Sequence, residues 1–177
     1  MKAPERKSHK AQQGVGMIEI LVAILVVAVG VLGYAGMQMF ALRGAETASY
    51  RTQATLVAKD ALERILMNSA EEAGSVYFVG NNWPTTPAQA GGNFPTACIG
   101  AASCDPAALA FADVAQLSWI VTNTLPLGMI RALDNCTGAA TASCIVVSWQ
   151  GTTPAQCLSG GAISTSEPCV VLEAFRP

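Results

Sequence analysis

The sequence predicts an α+β fold in which a long N-terminal helix packs on a small antiparallel sheet, together with a second helix and disulfide-stapled loops. Three observations support this prediction: an apolar run near the N-terminus that continues into an amphipathic segment, a second helical period in the middle of the chain, and three short β-branched segments after it. We divide the chain into a basic leader (1–14), the apolar half (15–42) and the amphipathic half (43–67) of the first helix, and a globular head (68–177).

The apolar run extends from Ile20 to Leu42 without a formally charged side chain. As an α-helix its roughly 23 residues rise about 34 Å, which is enough to cross a hydrocarbon core of about 30 Å. The run is longer than the apolar region of a cleavable secretory signal, about 7 to 15 residues, so we expect it to remain in the protein. Basic residues precede it in the leader, and they predict a cytoplasmic N-terminus and a single membrane pass.

The helix is expected to continue through residues 43–67, because neither proline nor glycine follows Gly44 in this stretch. A shared apolar face that packs on the head is predicted for Leu42, Ala45, Leu56, Leu62, Ile65 and Leu66. The basic residues Arg43, Arg51, Lys59 and Arg64 are interspersed with Glu46, Asp60 and Glu63, and we interpret them as a solvated face.

The first segment of the head, residues 68–104, is rich in Gly, Pro, Asn, Thr and Ala. This composition predicts a long loop with a short strand at 76–79. Trp83 and Phe94 are expected to cover the edge of the head, and contact with a partner is the alternative for both.

A second helix is predicted after this loop. Asp105 followed by Pro106 is typical of a helix N-terminus, and apolar residues recur at helical spacing through 107–124. We expect this helix to lie over the head with Trp119 in the core. Three strands are predicted from β-branched and aromatic content, at 129–133, 144–149 and 170–175.

All six cysteines lie in the head, at Cys98, Cys104, Cys136, Cys144, Cys157 and Cys169. An even number in a small exported domain predicts disulfides and an oxidising compartment. The sequence leaves many connectivities open; we favour pairs of neighbours along the chain, because each such pair encloses a loop-like segment. Zinc is the competing interpretation, but no CxxC spacing exists and no histidine lies nearby. We therefore expect no metal site and no cofactor.

Few side chains are candidates for catalysis. The single histidine, His9, lies in the leader, so the rest of the chain lacks the base of Ser-His and Cys-His nucleophile pairs. Glu71 and Glu72 are more simply a solvated patch than a catalytic pair. The chain has a formal net charge of −2 despite its basic leader, which disfavours electrostatic binding of nucleic acid. The sequence therefore predicts a structural protein and not an enzyme.

The segment GVGMIE, residues 14–19, joins the leader to the apolar run. A glycine, an apolar residue after it, a glutamate five residues beyond the glycine and an uninterrupted apolar helix resemble the cleavage signature of the type IV pilin-like family. The resemblance implies that prepilin peptidase cleaves between Gly14 and Val15, that the new amino group of Val15 is methylated, and that Glu19 is the assembly glutamate. Val15 and Gly16 stand where family members commonly carry Phe and Thr or Ser.

A physical argument for Glu19 is independent of this resemblance. A carboxylate in hydrocarbon costs at least about 2.5 to 3.5 kcal/mol on insertion scales, so Glu19 either reaches the headgroups or has a partner. In a filament, the amine freed at Val15 of one subunit could approach Glu19 of its neighbour, and the two charges would offset each other's desolvation. Both interpretations remain open.

Three features of the head resemble the minor pilins of this family: the Asp105-Pro106 helix with Trp119, its exit through residues 125–128, and the strand that ends at Trp149. The resemblance implies a low-abundance subunit that primes type IV pilus assembly near the tip. Its implied partners are other minor pilins, a tip adhesin, the major pilin, prepilin peptidase, the inner-membrane assembly platform and membrane lipid.

The implied location is the bacterial inner membrane with the head in the periplasm, and later the pilus at the cell surface. Two alternatives remain open. One is a minor pseudopilin of a type II secretion system, from which the anchor does not distinguish a pilus subunit. The other is a permanently membrane-tethered periplasmic domain for binding or adhesion.

Overall fold

The computed structural model describes residues 14, 16–68, 76–87, 90–100, 103–136, 142–159 and 161–175. The chain divides into two compact units, Met1–Ala45 and Glu46–Pro177. The second unit contains the predicted head, residues 68–177, together with the end of the first helix, and from here on we use the word head for this whole unit. The predicted α+β class is confirmed: the described residues form a long apolar N-terminal helix, a second helix and a three-stranded antiparallel sheet.

Helix α1 runs without interruption over Met17–Met67, as the sequence predicts. In the first unit its apolar side chains are exposed, among them Ile20, Leu25 and Phe40. The most apolar part of the helix has a mean hydropathy of 2.6, and by length and composition it could cross a membrane. Exposed aliphatic side chains at this density are unfavourable in water and favourable in hydrocarbon.

The face of α1 that packs in the head agrees with the prediction at Ile65 and at the half-buried Leu62, and differs from it elsewhere. The buried residues are mostly small: Ala54, Val57, Ala58, Ala61 and Ile65. They recur at intervals of three and four and form one stripe. Leu56 and Leu66, which the sequence pattern placed on the packed face, are more than half exposed. Alanine contributes little to a hydrophobic pattern, yet its small side chain allows close approach of neighbouring elements, and this explains why the leucines misled the prediction.

The predicted strand at 76–79 is wrong. Residues 76–78 form a turn, and a short 3₁₀ helix follows at Gly80–Asn82. The backbone groups that a strand partner would satisfy are bonded locally: the Asn82 side-chain amide donates to the Val76 carbonyl at 2.8 Å, and the Trp83 indole N–H donates to the Tyr77 carbonyl. Trp83 is buried in the core and not at the edge of the head.

Helix α2, Pro106–Thr124, begins as predicted. The Asp105 carboxylate accepts a hydrogen bond from the Ala108 N–H at 2.7 Å, which satisfies one of the unpaired donors of the first turn, and Pro106 occupies the first helical position. Leu117 and Val121 pack into the core from this helix.

The prediction that Trp119 lies in the core is wrong. Its side chain is half-buried, and the indole N–H donates to the Gly92 carbonyl at 3.2 Å. The Phe94 ring meets it edge-on, with the ring centroids 5.2 Å apart. Trp119 therefore holds the loop around residues 91–94 against the outer side of α2, and the fully buried tryptophan of this region is Trp149.

The main sheet has the order β1–β2–β5, with β1 at Met129–Asp134, β2 at Ala142–Ser148 and β5 at Cys169–Phe175, all antiparallel. Every residue of the central strand β2 is buried. These strands match the three predicted ones within two residues at each end. A two-residue hairpin, β3 at Leu158–Ser159 and β4 at Ala162–Ile163, was not predicted.

Three disulfides join neighbouring cysteines, Cys98–Cys104, Cys136–Cys144 and Cys157–Cys169. This is the pairing that the sequence favoured. The second bond links the end of β1 to β2, and the third encloses the β3–β4 hairpin. Each short closure reduces the freedom of the unfolded chain, an effect of roughly 2 to 3 kcal/mol in the chain-entropy model.

Candidate functional site

The residues of the predicted cleavage site lie at the start of α1. Gly14 and Gly16 are exposed, and Val15 lies outside the described residues. The Gly16 carbonyl accepts hydrogen bonds from the N–H groups of Glu19 at 2.9 Å and Ile20 at 3.4 Å, so the helix begins directly after it. Among the described residues, an added methyl group would meet no atom within 4 Å at Gly14 and only the Ile18 side chain, at 3.9 Å, at Gly16.

Glu19 is an exposed carboxylate in the first turn of α1. The N–H groups of a first helical turn carry a partial positive charge, which favours a negative side chain there. Within the described part of the chain the ion pairs are those of Arg64 with Asp60 and Asp113, and neither includes Glu19. The side chain is therefore available to a group from outside those residues.

A second group of polar side chains lies inside the head, where α1, the turn at 76–78 and α2 meet. We call Arg64, Asn68, Tyr77, Asp113 and Gln116 the buried polar cluster. Arg64 Nη1 donates to Asp113 Oδ1 at 3.0 Å and to Gln116 Oε1 at 2.9 Å. The Tyr77 hydroxyl donates to the other Asp113 oxygen at 2.6 Å, and Asn68 Nδ2 donates to that hydroxyl at 3.3 Å.

Further bonds attach this cluster to the backbone and to the surface. Asn68 Nδ2 also donates to the Pro106 carbonyl at 2.8 Å, and Gln116 Nε2 donates to the Ala97 carbonyl at 3.3 Å. Arg64 Nε pairs with Asp60 at 3.2 Å on the exposed side. The cluster thus joins α1, α2, the turn at 76–78 and the loop that contains Ala97.

The environment changes two pKa values in the cluster. Burial acts to lower the pKa of Arg64, but hydrogen bonds and charge attraction from Asp60 and Asp113 outweigh it, and the net pKa is raised. Burial and the hydrogen bond to Asp113 raise the pKa of Tyr77, and the hydrogen bond from Asn68 opposes them in part. Arg64 therefore stays charged and Tyr77 stays protonated across the physiological range.

Sequence reasoning missed this cluster. It placed Arg64 on a solvated face, whereas the Arg64 side chain is only 26% exposed and points at Asp113, which is 10% exposed. One signal was available: Asp113 is the single charged residue of α2, and it stands next to Val114 in the buried stripe of that helix. A carboxylate at a core position predicts a cationic or hydrogen-bonding partner.

The chemistry of the cluster is that of a structural junction. Both oxygens of Asp113 accept hydrogen bonds from the chain, so the carboxylate is held between Arg64 and Tyr77 in the interior of the head. Across the described residues, no group of three or more His, Cys, Asp or Glu side chains is placed to hold a metal ion. An open depression of about 380 Å³ lies elsewhere on the head, lined by Tyr50, Ala90 and residues 122–127.

No protein-family model matches this sequence, no curated protein matches it, and no solved structure matches it.

The raised pKa of Tyr77 predicts a dependence of stability on alkaline pH. Below about pH 10 both the folded and the unfolded chain carry the proton. Above that pH the unfolded chain releases it and the folded chain retains it, so the free energy of unfolding falls as pH rises, by up to about 1.4 kcal/mol per pH unit. Urea denaturation between pH 9 and 11, roughly, measures this slope.

Tyr77→Phe is expected to remove that contribution. The pKa of the half-buried Tyr50 is also raised, by its hydrogen bond to Glu46, so the comparison is made in a Tyr50→Phe background. An unchanged slope after Tyr77→Phe in that background would show that another group controls the alkaline transition.

Proposed function

We propose that the protein is a minor pilin, a structural subunit that primes type IV pilus assembly in a tip complex with other minor pilins. One observation carries the proposal: α1 is continuous from Met17 to Met67, exposes its apolar side chains over the segment 20–42, and starts just after Gly14 with Glu19 in its first turn. A helix of this kind can anchor a subunit in the membrane and then pack on the helices of its neighbours.

The proposed sequence of events starts at the leader. Prepilin peptidase cleaves the bond between Gly14 and Val15, and the freed amine at Val15 is methylated. On assembly, this amine pairs with Glu19 of a neighbouring subunit, so that the charges offset each other's desolvation in an apolar environment. The exposure of Glu19, without an ion-pair partner among the described residues, supports this role.

The head supports an exported, minor subunit. Its three disulfides suit an oxidising compartment such as the periplasm. In sequence, the Asp105-Pro106 helix with Trp119, its exit at residues 125–128, and Cys136 with the strand that ends at Trp149 resemble the type IV pilus modification protein PilV. We propose the inner membrane as the initial location, with the head in the periplasm, and the pilus as the final one.

The test is the intact mass and amino-terminal sequence of the protein from membranes and from sheared surface filaments. A chain that begins at N-methyl-Val15 in both fractions is expected. A chain that begins at Met1 and is confined to membranes would contradict the proposal and favour a permanently tethered periplasmic domain. Processed protein that is missing from filaments would favour the pseudopilin alternative.

Two substitutions sharpen this experiment. A methyl group at Gly14 or Gly16 meets no close atom of the part of the chain that the structure describes, so we expect alanine to be tolerated at both positions. Gly14→Ala is expected to block cleavage because it changes the residue that the peptidase recognises, and Gly16→Ala serves as the matched control. Equal processing of the two variants would show that Gly14 is not part of a cleavage site.

A further inference from the structure

The contacts of α1 with α2 define two ends of the head. Tyr50, near the start of the head's stretch of α1, borders the depression formed with residues 122–127. Arg64 contacts Gln116, and Asn68 contacts the Pro106 carbonyl. The two helices are therefore antiparallel. The C-terminal end of α2 lies beside Tyr50, close to Glu46, the first residue of the head.

At this end of the head we single out five of the described residues: Tyr50, Arg51, Pro126, Leu127 and Gln150. We call them the entry surface. The turn at 125–128 and the turn at 149–152 are bonded to each other, because the Gln150 N–H donates to the Pro126 carbonyl at 2.7 Å. Arg51 lies over the buried ring of Trp149, 6.0 Å from its centroid, and the Tyr50 hydroxyl donates to Glu46 at 2.7 Å.

Leu127 is the unusual residue of the entry surface. It follows Pro126 in a turn closed by a hydrogen bond from the Gly128 N–H to the Leu125 carbonyl at 3.1 Å, and its φ is +52°. That backbone conformation favours glycine or asparagine and is strained for a bulky side chain. The strain is not compensated by burial, since Leu127 is 53% exposed. A strained, exposed leucine indicates a contact made outside the head.

The side chains of the entry surface suit a lipid surface. Tyrosine, arginine and aliphatic side chains together are typical of the level of the headgroups, where an apolar body and a polar tip are both accommodated. Among the described residues that line the depression, Leu127 included, there is no carboxylate, and the nearby Glu46 accepts a hydrogen bond from the Tyr50 hydroxyl.

The chain itself favours lipid over a protein partner. In the sequence only residues 43–45 separate the apolar run from Glu46, so a membrane crossed by that run is held close to the head by a short connection. A specific protein interface buries about 1,200 to 2,000 Å², far more than one leucine and one proline offer. A single inserted side chain is sufficient when the protein is already anchored, because the contact is then intramolecular in effect.

We propose that the entry surface rests on the membrane that anchors α1, with the Leu127 side chain inserted at the level of the lipid headgroups. The inference depends on the membrane span of the proposed function. It assigns the head a docked position on the bilayer before the subunit leaves the membrane, with Leu127 as the inserted side chain.

The test uses the full chain, with one copy in each phosphatidylcholine nanodisc. The methyl groups of leucine and isoleucine are labelled for NMR, and a lipid with a nitroxide near its headgroup broadens the signals of methyl groups close to it. Ile99 is the matched control: it is 55% exposed and lies in the Cys98–Cys104 loop, before the N-terminal end of α2 and so at the opposite end of the head. The expected result is loss of the Leu127 methyl signals, with the Ile99 signal retained.

The signals of Leu21 and Leu25, in the proposed membrane span, distinguish failure of the docked head from failure of the span itself. Retention of the Leu127 signals with loss of those of Leu21 and Leu25 would overturn the docked head and leave the span intact. Retention of all these signals would overturn the span as well. Loss of the Leu127 signals only in discs that hold two copies would identify a second subunit as the occupant and also overturn the inference.

The variant Leu127→Asn is expected to fold, and it tests whether the Leu127 side chain is needed to hold the head on the lipid. Leu127→Asn places a polar residue that tolerates positive φ, so it relieves strain and is expected to raise the unfolding temperature of the head. Loss of nitroxide broadening at the neighbouring Leu125 methyls is the expected result in the nanodisc. Ile99→Asn should leave the broadening at Leu125 unchanged, and broadening that survives Leu127→Asn would show that Leu127 does not hold the head on the lipid.

Discussion

Replacing Asp113 by alanine is expected to lower the free energy of unfolding of the head by about 2–4 kcal/mol. The substitution removes the acceptor of the Arg64 guanidinium and of the Tyr77 hydroxyl at once. Both donors are then left without that partner in a largely buried site, and Arg64 retains only its bonds to Asp60 and Gln116. The residual bonds and the partial exposure of Arg64 keep the effect below that of a fully buried ion pair.

Urea denaturation of the detergent-solubilised full chain, followed by near-ultraviolet circular dichroism of the tryptophans, measures this loss. Asp60→Ala is the matched control because Asp60 pairs with the same arginine but its side chain is 44% exposed. Exposed pairs of this kind contribute about 0.3–0.5 kcal/mol. If the two variants lost equal stability, the cluster would not be the junction that we describe.

A double variant separates the pair from the packing around it. Arg64→Leu with Asp113→Leu replaces the ion pair by apolar side chains, which is often close to neutral when both charges leave together. We expect the double variant to be more stable than Asp113→Ala alone. A double variant that is less stable would show that Tyr77 and Gln116 depend on the charges themselves.

Replacing Glu19 by alanine is expected to leave membrane insertion intact and to reduce incorporation into filaments about 30-fold, which corresponds to the loss of roughly 2 kcal/mol from one charge-assisted interaction. Insertion is unaffected because the substitution removes a charge from the start of an apolar helix. Under the proposed function, assembly is expected to suffer because the amine at Val15 of the neighbouring subunit would lose its partner in an environment without water.

The measurement compares the amount of protein in alkali-washed membranes with the amount in sheared filaments. Glu63→Ala is the matched control, since Glu63 is an exposed carboxylate on the same helix but in the head. Glu19→Gln retains size and polarity without charge and tests whether the charge is required. Normal incorporation of Glu19→Ala would remove the assembly role and leave contact with the headgroups as the explanation for this residue.

Most of the fold could be predicted from patterns among residues that are close together in the sequence. The length of α1, the N-terminus of α2 at Asp105 and Pro106, and the three main strands depend on residues within a few positions of one another, so periodicity and capping chemistry are sufficient. The cysteine pairs follow the same logic, because each closes a short segment. The hairpin β3–β4 was missed because its strands have only two residues each, too few for any period to register.

The interior of the head depended on contacts between distant parts of the chain. Arg64 and Asp113 are 49 positions apart; the core position of Asp113 predicts that it has a partner, but nothing near it in the sequence identifies that partner as Arg64. Contacts between distant residues also explain the two wrong predictions for tryptophans, since Trp119, expected in the core, meets the loop at residues 91–94, and Trp83, expected at the edge of the head, lies in the core. Pattern analysis ranks residues by hydrophobicity, whereas burial depends on which surfaces come together.

By itself, the sequence determined the α+β class and the continuous apolar helix behind Gly14 with Glu19 near its start, and it favoured the neighbouring cysteine pairs among the connectivities that it left open. Only the tertiary structure decided that alanines and not leucines form the packed stripe of α1, that Arg64 turns inward to Asp113, and that Leu127 stands exposed in a strained turn. The physical reason is range: helix formation, capping and short loop closure are local free energies, and the burial of a side chain is a property of the whole packed head.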